Sequence, residues 1–290
     1  MNKEIDKIIK TLSNKEYLDI VYHSPVNNEL MPSHSKLKDI VNLFRKIIFP
    51  GYFGNASINN NNIEYYIGVN INNVVPLLKE QIKRGLYFNC SNNKNTNCDK
   101  INKQADLITL EFIKKLPDIR KKLSTDVIAA YLGDPAAKGY GEVIFCYPVI
   151  RTLTNYRIAN ALLKLNVPLI PRIITEMAHS ETGIDIHPGA EIGEYFTIDH
   201  GTGVVIGETT IIGNNVKIYQ GVTLGAKSFP IDKDGNPIKG IPRHPIVKDN
   251  VIIYAEATIL GRVTIGENSI IGGNMWITHD VEPNSKILQR

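Results

Sequence analysis

Apolar side chains recur along this chain with two different periods, and the change falls near residue 180. In the first part they lie three and four positions apart, the spacing of one helix face. KLKDIVNLFRKIIF sets Leu37, Ile40, Val41, Phe44, Ile47 and Ile48 on one stripe. NNVVPLLKEQIKRGLYF (72–88) and ADLITLEFIKKLPDIRKKLSTDVIAAYL (105–132) carry the same pattern. YPVIRTLTNYRIANALLKLN (147–166) predicts a further helix, and Pro168 breaks the pattern before PLIPRIITEMAHSETG. The Asn-rich stretches between them, INNNNIEYY and SNNKNTNCDKINK, predict surface loops.

After Thr182 the period becomes six, which is neither that of a helix nor that of a strand. Ile186, Ile192, Ile198 and Val204 keep it. The phase then slips by two, and Ile206, Ile212, Ile218 and Leu224 continue. The interruption GAKSFPIDKDGNPIKGIPRHPI follows, and the period resumes at Val247, Ile253, Ile259, Ile265, Ile271 and Ile277. Six-residue repeats predict a parallel β-helix. Each hexad supplies a short strand and a tight corner, and three make a triangular coil of about 18 residues. β-Branched Ile and Val suit the interior of such a prism. A β-sandwich predicts alternation with variable spacing, which does not fit. The expected class is α+β, with an N-terminal α-helical domain over 1–181. A parallel β-helix over 182–290 follows, with a loop protruding near 226–245.

Composition narrows the function. Apolar content of 43% and charged content of 21% are ordinary for a globular protein. A net charge of +4, with scattered Lys and Arg, gives no nucleic-acid footprint. The start, MNKEIDKIIKTLSNKEY, is too charged for a secretory signal, and no apolar run reaches membrane-spanning length. These features predict a cytoplasmic protein. Cys90, Cys98 and Cys146 are odd in number, which predicts free thiols rather than a disulfide framework.

Polar residues interrupt the hexads at a few places. Asp199-His200 puts a carboxylate and an imidazole where a coil needs neither. Imidazole is the side chain best suited to take a proton near neutral pH. Asp185 lies one turn earlier, displaced by three positions, within possible reach of His200. Arg243-His244 closes the long interruption, and a guanidinium fork matches a carboxylate. Tyr219 and Gln220 interrupt a hexad without an evident role, and His23, His34, His179 and His279 have no partner spacing.

The hexads combined with D-I-H-P-G, D-H-G-T-G-V-V-I-G-E-T, Q-G-V-T-L-G and R-H-P resemble the serine O-acetyltransferase family. Its members are left-handed β-helix enzymes of cysteine biosynthesis. The likeness is close over residues 130 to 280 and one of character before that. The left-handed winding is implied by the resemblance alone, because crossover connections are normally right-handed.

The resemblance implies that His200 deprotonates L-serine, with Asp185 as its carboxylate partner. Acetyl then passes directly from the cosubstrate acetyl-CoA to oxygen. It gives Arg243 the serine carboxylate, and His244 the substrate or its reacting carbonyl. Asp134, in LGDPAA, joins Asp199 at the ammonium. Gly225, Ala226 and Ala255 would line the pantetheine slot. Glu208 belongs to the motif or is a structural corner carboxylate, and His187 is structural. The resemblance further implies inhibition by L-cysteine and a homotrimer, with pairing of two trimers left open. No metal, nucleic acid or membrane is expected as a partner. The chain stops at KILQR, without the Ile-ended tail that docks relatives into the sulfhydrylase, so that complex is not expected.

Three rivals remain. A hexapeptide acetyltransferase acting on a sugar or xenobiotic hydroxyl shares the His and the CoA slot but has no use for Arg243 and two aspartates. A β-helix carbonic anhydrase needs three His ligands, and only His200 and His244 are suitably placed. A scaffold leaves Asp185, Asp199, His200, Arg243 and His244 unexplained together.

Overall fold

The computed structural model describes residues 2–14, 18, 20–23, 25, 29–54, 57–89 and 98–289. Among them eight helices precede the first strand: α1 (Asn2–Leu12), α2 (His34–Ile48), α3 (Ile63–Asn89), α4 (Cys98–Lys114), α5 (Leu116–Gly133), α6 (Tyr140–Cys146), α7 (Pro148–Lys164) and α8 (Ile170–Thr182). In α2 the six apolar residues of the predicted stripe are the six that are buried. The helical stretch 105–132 is broken at Lys115, because Pro117 supplies no amide hydrogen and starts α5 instead. Short α6 is too brief for its period to be read. The asparagines of INNNN form a turn before α3, where Asn62 Oδ1 accepts from Asn59 N at 2.8 Å. Residues 91–97 and Cys90 lie outside the described residues. Cys146 is a free, exposed thiol. Among the described residues no helix is long and apolar enough to cross a membrane.

Helix α8 ends at Gly183, which takes a left-handed φ of 72° and donates its N–H to His179 O. The chain then winds into a left-handed β-helix of fourteen strands, each two or three residues long. These strands pair only in parallel, in three sheets that form the faces of a prism. On the first face Ile186, Ile206, Leu224, Ile259 and Ile277 stack in register. On the second the stack is Ile192, Ile212, Val247 and Ile265. On the third it is Ile198, Ile218, Ile253, Ile271 and Ile287. Every apolar hexad position in the sequence pattern, Val204 included, is buried.

The coils differ in length, and the differences mark the site. One corner is an asparagine ladder: Asn215 donates to Asn250, Asn250 to Asn268, and Asn268 to Asn284, at 2.8, 3.0 and 3.1 Å. All four take left-handed φ near 58°, which Asn tolerates better than most side chains. The ladder steps by 35, then 18, then 16 residues. The step below it, Glu194 to Asn214, is 20. An 18-residue coil is the reference, so the first coil holds two extra residues, and these are the phase slip. They fall in the corner after Thr197–Asp199 and push out His200. The 35-residue step holds the long interruption, whose tip is exposed and turns on Asp232 Oδ1, acceptor for Asp234 N and Asn236 N.

Helices and prism form one body through a buried ion pair. Arg157 on α7 meets Asp126 on α5 with both nitrogen–oxygen contacts below 3 Å, and also donates to Gly193 O in the first coil at 2.9 Å. Tyr156 OH donates to Ala190 O at 2.6 Å. Lys217, on the third face, donates to Gly133 O at 2.6 Å and holds the C-terminal end of α5, and with it Asp134, against the prism.

Candidate active site

Two clusters of polar side chains stand on two different edges of the prism. The first lies where the third face turns into the first. A cavity of about 150 Å³ is lined there by Asp134, Tyr147, Asp199, His200 and Lys217, among others. His200 takes the left-handed φ of 58° that other corners of the prism share, and its side chain is 76% exposed. The nearest carboxylate is its neighbour: Asp199 Oδ1 is 3.9 Å from His200 Nε2.

Asp134 caps α5 and sits across the cavity from His200. Its Oδ2 accepts from Tyr147 OH at 2.5 Å and its Oδ1 from Ala136 N at 2.8 Å. The Tyr147 hydrogen bond holds the Asp134 carboxyl below the usual carboxylate range, and the same bond pushes the phenol up to about 12. Lys217 Nζ donates to Gly133 O at 2.6 Å and lies 3.0 Å from Asp199 Oδ2. Burial pulls the Lys217 ammonium down, but its bonds to Tyr219 and Asp199 prevail and raise it. Tyr147 and Lys217 carry no motif in the sequence. Tyr219 stacks on Tyr254 at 5.0 Å, and Gln220 Oε1 is buried with no hydrogen-bond partner among the described residues.

The second cluster lies where the first face turns into the second. Arg243 Nη2 donates to Glu208 Oε2 at 2.7 Å. Burial raises the Glu208 carboxyl, yet the Arg243 bond and His187 bring it below its ordinary value. His244 is 7% exposed, and its ring packs against Gly207. A Cβ on Gly207 would fall 2.2 Å from His244 Nε2, so only glycine leaves room for this imidazole. Burial, reinforced by the adjacent Arg243 charge, pulls His244 down to about 4, so the ring is neutral at pH 7. His187 is also lowered, by burial first and then by Arg172, and its Nδ1 accepts from Gly189 N. That bond fits a structural part for His187.

The sequence-expected residues thus divide between the edges. Asp134, Asp199 and His200 stand together on one, Arg243 and His244 on the other. Gly225 and Ala226 leave the first face on the His244 edge, whereas Ala255 follows Ile252–Ile253 and lies on the His200 edge. Among the described residues no hydrogen bond or ion pair joins Asp185 to His200. Asp185 offers an oxygen within 4.8 Å of Glu176 and His179 atoms, and His179 Nδ1 lies 3.3 Å from Glu176 Oε2. The loop carrying His200 nevertheless lies directly over Asp185: Gly203 N donates to Gly183 O at 2.9 Å, and Gly201 packs on Ile184.

A prism of hexad coils with polar corners defines a class, the hexapeptide-repeat transferases. The model of the bacterial transferase hexapeptide (six repeats) family matches residues 244–279. The plasmid serine acetyltransferase of Synechococcus elongatus is 46% identical over 98% of this chain and 90% of its own length. The Bacillus subtilis serine acetyltransferase is 43% identical over 58% of this chain and 73% of its own. Among solved structures, Entamoeba histolytica serine acetyltransferase 1 in complex with L-cysteine superposes with a TM-score of 0.73 at 36% identity. That match covers 96% of this chain and 93% of that one. The chain belongs to the serine acetyltransferase family, and is an acyltransferase.

Proposed function

We propose that this protein transfers acetyl from acetyl-CoA to the hydroxyl of L-serine in the cytoplasm, giving O-acetyl-L-serine and CoA for cysteine biosynthesis. One observation carries the reading: the two edges together offer a match for each group of an α-amino acid. Asp134 and Asp199 suit its ammonium, Arg243 its carboxylate and His200 its hydroxyl.

His200 takes the hydroxyl proton as the serine oxygen attacks the thioester carbonyl. The tetrahedral carbon collapses, the carbon–sulfur bond breaks, and the proton passes to the departing CoA sulfur. Transfer is direct, with no acyl-enzyme. The carboxylate of Asp185, beneath the His200 loop, orients the imidazole and stabilises its cation. His244 binds at the reacting carbonyl. Gly225, Ala226 and Ala255 leave space for pantetheine.

Within one prism the first face lies between the two edges. The site is therefore built between neighbouring copies, the His200 edge of one facing the His244 edge of the next. Three such contacts close a ring, a homotrimer.

L-Cysteine differs from L-serine by one atom, so Asp134, Asp199 and Arg243 can hold it, while His200 stabilises its thiolate. The L-cysteine complex of the Entamoeba relative supports this inhibition. The alternative acceptor is a sugar or xenobiotic hydroxyl. CoA release measured with L-serine, serinamide and a galactoside separates the two. L-Serine alone should react efficiently. Equal rates with serinamide, or a preference for the galactoside, would overturn the amino-acid reading.

A further inference from the structure

His244 is gripped by a residue that no step above uses. Thr209 N donates to His244 Nδ1 at 3.1 Å, and Thr209 Oγ1 lies 2.9 Å from the same nitrogen. The hydroxyl oxygen in turn accepts from Arg243 N at 2.9 Å and His244 N at 3.1 Å. With two amide donors on its lone pairs, the hydroxyl hydrogen is left to point at Nδ1. Arg262 Nη1 closes the clasp from the next coil, donating to Thr209 O at 2.6 Å and His244 O at 3.0 Å.

An imidazole nitrogen that receives a backbone N–H cannot carry a proton of its own. The neutral ring must therefore hold its hydrogen on Nε2. We infer that Thr209 is a positioning residue that fixes His244 as the Nε2–H tautomer, making it a hydrogen-bond donor at the reacting centre and leaving the role of base to His200. This rests on the proposed function for what His244 faces. It divides the labour of the two imidazoles: one takes the proton, while the other offers one to the oxygen that gains charge as the thioester is attacked. An Nδ1–H ring in the same place would present a bare lone pair to that oxygen and repel it.

Nitrogen-15 spectra of the histidine-labelled protein test the tautomer without reference to activity, with His244→Gln assigning the signal. The wild type should show Nε2 protonated and Nδ1 bare from about pH 6 to 9. Thr209→Val removes the oxygen that anchors Arg243 N and His244 N, so the ring should part from the Thr209 amide, mix its tautomers and lower kcat by about ten- to a hundredfold, with a smaller change in KM for serine. Thr209→Ser should restore both. If Thr209→Val does not fold, Thr209→Ala removes the same oxygen. A protonated Nδ1 in the wild type, or an unaltered tautomer in the variant, overturns the positioning role. A mixed tautomer with unchanged kcat instead overturns the placement of His244 at the reacting centre.

Discussion

The guanidinium of Arg243 is aimed by Glu208, whose Oε2 lies 2.7 Å from Nη2 across 35 positions of sequence. The pair is partly solvated, with side chains 22% and 40% exposed, so its worth is modest, about 1 kcal/mol. Glu208→Gln should raise KM for L-serine about fivefold, which is that energy converted, and leave kcat nearly unchanged. Steady-state kinetics at varied serine decide this. An unchanged KM would show that Glu208 does not orient the substrate-binding fork.

Gly207 is required for a different reason. Its missing Cβ is the space that the His244 ring fills. Gly207→Ala should displace the ring and lower kcat by about a hundredfold, with the circular dichroism spectrum retained. Full activity in that variant would mean that the ring position is not critical.

Tyr147 lowers the Asp134 carboxyl through their short hydrogen bond. Tyr147→Phe removes the donor, so Asp134 should protonate at higher pH than in the wild type. An ammonium subsite needs the ionised form. The variant should therefore lose kcat/KM for serine earlier as pH falls below about 5, and match the wild type near pH 8. Superimposable acid limbs would remove Asp134 from serine binding.

The ion pair between Asp126 and Arg157 is buried at the junction of helices and prism. Asp126→Ala strands a guanidinium in the interior and should cost about 3–5 kcal/mol in denaturant unfolding. A double replacement of the pair by apolar residues should be far milder. Equal losses would contradict this account of the junction.

Much of this was legible in the sequence, because each hexad buries one side chain and the count survives without knowledge of the winding. Even the phase slip of two was present as the extra residues that push out His200. The long interruption ending in Arg243-His244 was equally visible. Tyr147, Lys217 and Thr209 were not singled out, since their meaning lies in contacts 13, 84 and 35 residues away. Thr209 had one signal, its place in G-E-T beside Glu208. Which of these residues stand on which edge was also hidden. Position in sequence gives the coil, but the edge follows only when corner lengths are known. The break at Lys115 had a signal in Pro117, which an unbroken apolar stripe masked.

The most direct test of the shared site is complementation between two inactive variants, His200→Ala and Arg243→Ala. Each damages one edge of every copy. In mixed trimers formed by co-refolding, some interfaces pair an intact His200 edge with an intact Arg243 edge. Random mixing at equal amounts should give about one quarter of wild-type activity, although each parent has almost none. If the mixture is no more active than its parents, the two edges do not meet between copies, and the account of the site is wrong.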